Sequence, residues 1–378
     1  NLLRPNGQFG TRLAGGKDSA SERYIFTQLE SVTRKVFIPA DDKILDYRDD
    51  DGDIVEPVYY APIIPMILVN GALGIGTGFS TQILCYNPTD IIAALKRRLT
   101  RKDGEILDAS WGCDIMPYYR GFTGSIKKTG DGRYLNKGCY KREKNDVLHI
   151  TELPVGYWTD DFKRHLEDLM DAKSGKNKKI VIKDYDDMST DVTVCFKIKF
   201  TPGALDELEK QLHEDGNYNG IEKLLKLYSF QSTSNMNLFD ADDKLKKYET
   251  TGEIMCDFYN ARIKLYSKRR KALIAHMEEI LKVLSNKAKY IQENLAGTID
   301  LRRKKQDEIT KMLEDKGYDK KDEDYKYLVK MPMDSVTEEN VVKLMKEFEE
   351  NQQHLDKLQK TTKHQMWIDD LDALVKEM

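Results

Sequence analysis

Two runs of apolar residues at near-heptad spacing dominate the last third of the chain. The first is Leu273, Met277, Ile280, Leu284, Ala288, Ile291 and Leu295, with steps of four, three, four, four, three and four. The second runs Val341, Leu344, Phe348, Leu355, Leu358, Ile368 and Leu371, interrupted by the polar Asn351, Thr362 and Gln365. A repeat close to 3.5 residues gathers apolar side chains into a seam along one side of a helix, and a seam needs a partner to be buried. Shorter helical pieces, Leu301–Leu313 and Asp322–Val329, lie between the two runs. The pattern predicts an antiparallel coiled-coil arm ending in a helical tip. A ~40-residue helix of this kind reaches roughly 60 Å. The alternative is a compact helical bundle.

The preceding part of the chain reads differently. Residues 1–21 are rich in glycine (Gly7, Gly10, Gly15, Gly16) and predict ordered turns. A helix is expected over Arg23–Phe37, ended by Pro39, followed by an acidic connector over Asp41–Asp53. An apolar, proline-punctuated segment, Pro57–Val69, leads into Gly71, Gly74, Gly76 and Gly78. Asn87-Pro88-Thr89-Asp90 then caps a helix over Ile91–Leu99. Between residues 111 and 200, alternating segments such as Val147–Leu153 and Val192–Phe200 predict short strands around a helix at Asp161–Ala172. Leu205–Leu227 returns to helix, broken by Gly216 and Gly220. The whole predicts a multidomain α+β chain.

At 378 residues the chain has room for two or three domains. The longest apolar run, Ala61–Val69, contains two prolines and is far too short to span a bilayer, so no membrane partner is expected. The five cysteines are widely separated and form no CxxC pair, which argues against a zinc site or a disulfide framework and favours a reducing compartment. A start at Asn1 without a methionine is expected of a segment that begins inside a larger protein. Net charge is only -3, but the first 36 residues carry Arg4, Arg12, Lys17, Arg23, Arg34 and Lys35 against Asp18, Glu22 and Glu30. Screening confines a field to about 10 Å at 0.1 M salt, so such a local basic surface can bind phosphates on an acidic protein. A solvated loop with ordinary surface charges fits that distribution as well.

Several motifs fail on spacing. Gly74-Ile75-Gly76-Thr77-Gly78 lacks the third glycine of a dinucleotide loop, where Phe79 stands, and has no P-loop lysine. These glycines instead allow a tight turn or a close backbone approach. Aligning Gly52 with the glycine of a calcium loop puts Tyr47 and Val58 at the end ligand positions, so Asp49–Asp53 reads as a solvated acidic turn. The six histidines show no ligand spacing, and no metal-ligating set is expected. Arg23-Tyr24 remains. A phenol with a pKa of about 10 is a poor nucleophile, but it can attack phosphorus when a cation beside it stabilises the charge that develops. Taken alone, however, an Arg-Tyr dipeptide reads as packing.

Its context is more specific. Asn6-Gly7-Gln8-Phe9-Gly10-Thr11-Arg12, Gly15-Gly16-Lys17-Asp18 and Ser21-Glu22-Arg23-Tyr24-Ile25-Phe26-Thr27 resemble the active-site region of eukaryotic-type type IIA DNA topoisomerases. The resemblance continues in family order through Pro62–Gly71, Gly74–Gly78, Tyr119–Gly124, Ile150–Pro154, Asn235–Asp240, Phe258-Tyr259 with Arg262, Tyr325–Leu328, and Trp367 with Asp370-Leu371. It implies an ATP-dependent enzyme that cuts duplex DNA, passes a second duplex and rejoins the first. Tyr24 resembles the tyrosine that becomes linked to the 5′ phosphate, and Arg23 the arginine that stabilises the scissile phosphate. Ile75, between Gly74 and Gly76, matches an isoleucine that wedges between base pairs, and Arg12 and Lys17 match positions suited to DNA backbone contact. Glu22 and Phe79 depart from the residues usual in the family.

The resemblance further implies an architecture. Residues 1–64 would finish a winged-helix domain, 65–245 would form an α+β tower, and 246–378 a coiled-coil and exit-gate dimerisation domain. The partners would be double-stranded DNA and a second copy of the chain. Mg2+ and ATP would bind upstream Toprim and ATPase domains, so the segment by itself is expected to cleave DNA poorly. A cellular member would be nuclear; a viral one would act in the host nucleus or cytoplasm. A DNA-binding coiled-coil scaffold without chemistry is the competing reading, and it leaves the Arg23-Tyr24 context and Ile75 without a role.

Overall fold

The computed structural model describes residues 2–101, 109–143, 146–171, 181–214, 216–301, 304–321, 323–332 and 336–378. The fold is mixed α+β, and the chain divides into two compact units. One comprises residues 1–38, 62–261 and 371–378; the other comprises 39–61 and 262–370.

The first unit holds two main sheets. Ile182–Asp187, Phe196–Phe200, Val147–Glu152 and Cys139–Glu143 form a four-stranded antiparallel sheet in that spatial order. Alternation along these strands turns Leu148, Ile150, Phe196 and Ile198 to one face, where Phe162 and Leu166 of the helix Thr159–Met170 complete a fully buried core. Tyr228–Ser232, Arg133–Lys137 and Ser125–Gly130 make a three-stranded sheet. The helix Pro88–Leu99 begins as its sequence predicts: the Asn87 side chain accepts the Thr89 amide, and proline occupies the first turn.

Three local expectations are corrected. The helix expected over Arg23–Phe37 is a 3-10 turn (Glu22–Tyr24), a strand (Phe26–Leu29) and a single helical turn (Thr33–Val36). Phe26–Leu29 pairs antiparallel with Leu3–Asn6, a partner more than twenty residues away that local periodicity does not reveal. The acidic connector is a hairpin of Tyr47–Asp50 and Asp53–Pro57 in the second unit. Asp51 and Gly52 at its tip both have positive φ, as two-residue hairpin turns require. The described residues of Leu205–Leu227, which exclude Asp215, supply two short helices, Ala204–Lys210 and Gly220–Leu224, separated by two-residue strands.

The first apolar seam lies on one helix, Thr251–Leu295, of 45 residues. The second is split. Glu338–Lys360 ends at Thr361, and Lys363–Glu377 starts anew. In the second unit, Arg270 of the long helix donates to the carbonyls of Thr361 (2.9 Å) and Gln359 (2.6 Å), supplying donors at a helix end where the last carbonyls lack the next helical amide. Tyr266 stacks on the buried Trp367, with centroids 5.2 Å apart. Residues 266 and 270 thus meet 367 and then 359–361, so the two runs are antiparallel here. Asp41 is buried in the same unit and ion-pairs with Arg262 (2.5 Å) and Arg269 (3.5 Å), while Arg269 also holds Asp370 (2.5 Å). At the far end of the long helix, Tyr290 on the helix and Ile299, Leu313, Tyr318, Tyr325 and Leu328 after it bury one another around the short helices Gln306–Asp315 and Lys326–Val329. Ala172, residues 302–303 and Asp322, included in the expected helices, lie outside the described residues.

Candidate DNA-cleavage site

Tyr24 ends the 3-10 turn Glu22–Tyr24, its amide donating to the Ser21 carbonyl at 2.9 Å. Its side chain is 64 % exposed, and the Arg23 guanidinium lies over the ring, 5.1 Å from the centroid. A cation–π contact at such an exposed site contributes about 0.5–1 kcal/mol. The phenol and the guanidinium therefore share one open surface, where both can reach the same anionic group.

The loop before the tyrosine is folded against itself and then docked. Ala20 donates to the Gln8 carbonyl, and Gly16 to that of Thr11. Asp18 accepts from the Thr11 amide (2.9 Å) and hydroxyl (2.5 Å), and these hydrogen bonds hold its carboxyl below the usual aspartate range. Gly10 has φ +94°, and a Cβ there would lie 2.5 Å from the Gly16 Cα. A Cβ on Gly15, at φ +66°, would enter the Trp158 indole. The glycines are thus demanded both by backbone conformation and by close approach.

Docking falls on Arg12 and its neighbours. The Arg12 guanidinium ion-pairs with Glu152, its amide donates to the Asp191 carbonyl (2.9 Å), and the Leu13 carbonyl accepts the Asp160 amide (3.0 Å). Glu152 is 1 % exposed and also accepts from the Thr123 amide (3.0 Å), the Thr123 hydroxyl (3.1 Å) and the Leu153 amide (2.9 Å). Arg12 is therefore an anchor of the loop, whereas Lys17 is exposed on it. Residue type and motif spacing do not single out Glu152. Its sequence signals are its place in the Ile150–Pro154 segment of the family resemblance and a carboxylate in the inward phase of a strand, after Leu148 and Ile150.

Gly74, Ile75 and Gly76 form the end of a second feature. Ala72–Ile75 pairs with Ser80–Ile83, and the Gly76 amide donates to the Phe79 carbonyl (2.7 Å) to close the tip. Ile75 is 95 % exposed and Leu73, on the same strand face, 85 %. Two large aliphatic side chains standing in water on a narrow hairpin are costly to leave uncovered. The hairpin is braced from outside: Asn235 donates to the Ser80 hydroxyl (2.8 Å), Asn237 donates to the Ser80 carbonyl (2.8 Å), and Phe79 meets Phe239 edge-on at 6.2 Å. The asparagines of the 235–240 segment thus hold Ile75 outward. Leu73 is a further candidate contact that no sequence motif marks.

A family model for the A subunit of DNA gyrase/topoisomerase IV matches residues 1–372. The chain belongs to that family. Within this topoisomerase family it is similar to DNA topoisomerase 2 of Plasmodium falciparum, 36% identical over 408 residues, covering 99% of this chain and 28% of that protein. It is also similar to DNA topoisomerase 2 of Acanthamoeba polyphaga mimivirus (35%, with 99% of this chain and 34% of the relative) and of Arabidopsis thaliana (36%, with 100% and 27%). The chain thus spans about a third or less of these relatives. Among solved structures it resembles the Plasmodium falciparum topoisomerase II DNA-binding, cleavage and re-ligation domain, with TM-score 0.84, 36% identity, and coverage of 100% of this chain and 52% of that one.

Among the described residues no group of three or more His, Cys, Asp or Glu converges to hold a metal ion. No described helix is long and apolar enough to cross a membrane.

Proposed function

We propose that this chain is the DNA-breaking and rejoining portion of an ATP-dependent type II DNA topoisomerase. The observation that carries the reading is the exposed Tyr24 phenol beneath the Arg23 guanidinium, on a loop whose glycines and Arg12–Glu152 anchor hold it in one conformation. In this reading the Tyr24 oxygen attacks a backbone phosphorus. The P–O3′ bond breaks, the 3′ oxygen leaves as a hydroxyl, and the 5′ phosphate remains on the tyrosine. Arg23 stabilises the negative charge that builds on the phosphate. Because one phosphoester is exchanged for another, the reverse attack by the 3′ hydroxyl reseals the strand without an outside energy source.

Ile75 inserts between base pairs, with Gly74 and Gly76 letting the hairpin backbone approach the groove. Such a wedge costs a few kcal/mol per unstacked step, offset by the wider contact that bent DNA makes. Lys17 and the remaining N–H groups of Arg12 contact the phosphate backbone. Residues 1–64 finish a winged-helix domain, 65–245 form the tower, and 246–378 form a coiled coil with an exit-gate dimer contact. Two protomers are needed, one tyrosine for each strand. Mg2+ and ATP belong to upstream domains; Mg2+ would supply charge neutralisation at the phosphate, and the described residues of this chain offer no cage for it.

The test is Tyr24→Phe in the complete enzyme. Covalent protein–DNA adducts are expected to vanish while DNA binding remains. Adducts from the Phe variant would overturn the assignment, and a complete protein that leaves supercoiled plasmid topology unchanged with ATP and Mg2+ would favour the scaffold reading.

A further inference from the structure

The outer face of the four-stranded sheet carries a nucleophile with a base beside it. Cys195 is half-buried, and its Sγ lies 3.4 Å from Nε2 of His149. The other ring nitrogen, Nδ1, lies 3.9 Å from a Glu143 carboxylate oxygen. Sulfur, imidazole and carboxylate thus follow one another from the residue just before strand Phe196–Phe200, across Val147–Glu152, to the end of Cys139–Glu143, on the face opposite the Leu148, Ile150, Phe196 and Ile198 core. His149 stands directly between Lys141 and Lys197 in the strand register, and Asp186 opposes Lys197 on the next strand. Lys197 also reaches Glu143 at 3.9 Å. The Cys195 amide is fixed by the Ser189 hydroxyl at 3.1 Å.

Other thiols are placed differently. Cys85 donates to the Asn70 carbonyl (3.1 Å) and Cys139 to the Thr123 carbonyl (3.3 Å). Cys256 accepts the Trp111 indole N–H at 3.2 Å. Burial pushes all three of these thiols up from the ordinary cysteine range. A thiol reacts as its thiolate, so these three are disfavoured as nucleophiles.

We propose that Cys195 is a modification site that takes small, negatively charged disulfides, with His149 as its base and the Glu143 carboxylate near the far side of the imidazole. In the reaction His149 Nε2 removes the thiol proton as the sulfur attacks one sulfur of the disulfide. The S–S bond breaks, a new S–S bond joins Cys195 to that half, and the other half leaves as a thiolate that takes the proton from the imidazolium. The incoming disulfide is the oxidant, so no further redox partner is needed. Lys141 and Lys197 favour an anionic disulfide over a neutral one. The proposal does not depend on the function proposed for Tyr24.

The test is the time course of modification of the complete enzyme by glutathione disulfide and by 4,4′-dithiodipyridine, with each cysteine of this chain followed by peptide mass spectrometry. Cys195 is expected to be the first of the five modified. His149→Gln is expected to slow Cys195 by about a hundredfold, the low end of what a positioned base contributes, while leaving Cys85 and Cys256 unchanged. A Cys195 modified no faster than the others, or a His149→Gln rate equal to the wild type, overturns the proposal. The wild-type order needs no variant and decides the matter even if His149→Gln folds poorly.

Discussion

Arg12 and Glu152 are 140 residues apart in the chain and form an ion pair against the core of the four-stranded sheet. The carboxylate is almost fully enclosed and serves four donors: the guanidinium, the amide and hydroxyl of Thr123, and the Leu153 amide. One buried acid thereby ties the loop that leads to Tyr24, the turn at Thr123 and the end of a central strand into a single joint.

Removing that acid should release the joint. Glu152→Ala leaves a partly buried guanidinium and a buried amide without partners, and breaking such a pair costs about 3 kcal/mol or more. Urea unfolding should show a lower midpoint, and limited proteolysis should cut first between residues 7 and 20. An unchanged midpoint together with a protease-resistant loop would show that Arg12 is not the anchor.

The loop glycines should separate by what surrounds them. Gly16→Ala meets open space and has only its positive φ to bear, about 1 kcal/mol. Gly15→Ala has a similar φ and also drives a methyl into Trp158, so its loss should be clearly larger. The comparison is read from the two variants' denaturation midpoints; equal losses would mean that the Trp158 contact gives way freely.

Ile75→Ala should leave stability within about 0.5 kcal/mol, because the side chain touches little. In the complete enzyme the same change should reduce the bending of bound duplex, measured by fluorescence energy transfer between labelled DNA ends. A loss of stability with unchanged bending would assign Ile75 to the fold instead.

Alkaline stability should depend on Tyr119. Burial pushes its phenol up to about 12, and its hydroxyl bonds to Gln231 at 2.9 Å. The unfolded phenol titrates near 10, so between the two values the folded chain holds the extra proton. Its contribution is full below about pH 10 and falls away as pH rises through about 12. Tyr119→Phe should flatten the decline of unfolding free energy in that window by one proton's worth, although other buried tyrosines retain theirs. An equally steep decline in the variant would remove Tyr119 from the account.

Periodic and capped elements could be read directly from the residues. The seam from Leu273 to Leu295 marks the long helix, Asn87-Pro88 marks the start of the next clearest one, and alternation in Val147–Leu153 and Val192–Phe200 marks two central strands. Each signal is local, since a side chain's direction within three or four residues follows from backbone geometry alone. The break at Thr361 was visible only as polar interruptions; that it ends a helix depends on Arg270, some ninety residues earlier, supplying donors to the freed carbonyls.

The candidate site divides in the same way. Tyr24, Arg23, Ile75 and the glycines around them could be chosen from residue type and order, because nucleophile, cation, wedge and turn are properties of single residues and their immediate neighbours. That Phe26–Leu29 is a strand, that Arg12 is anchored on Glu152, that Asn237 braces the Ile75 hairpin, and that Cys195 faces His149 depend on segments brought together from 20 to 160 positions apart. Pairing energies across such distances belong to the packed chain, where burial and hydrogen bonding act between segments that the sequence keeps separate.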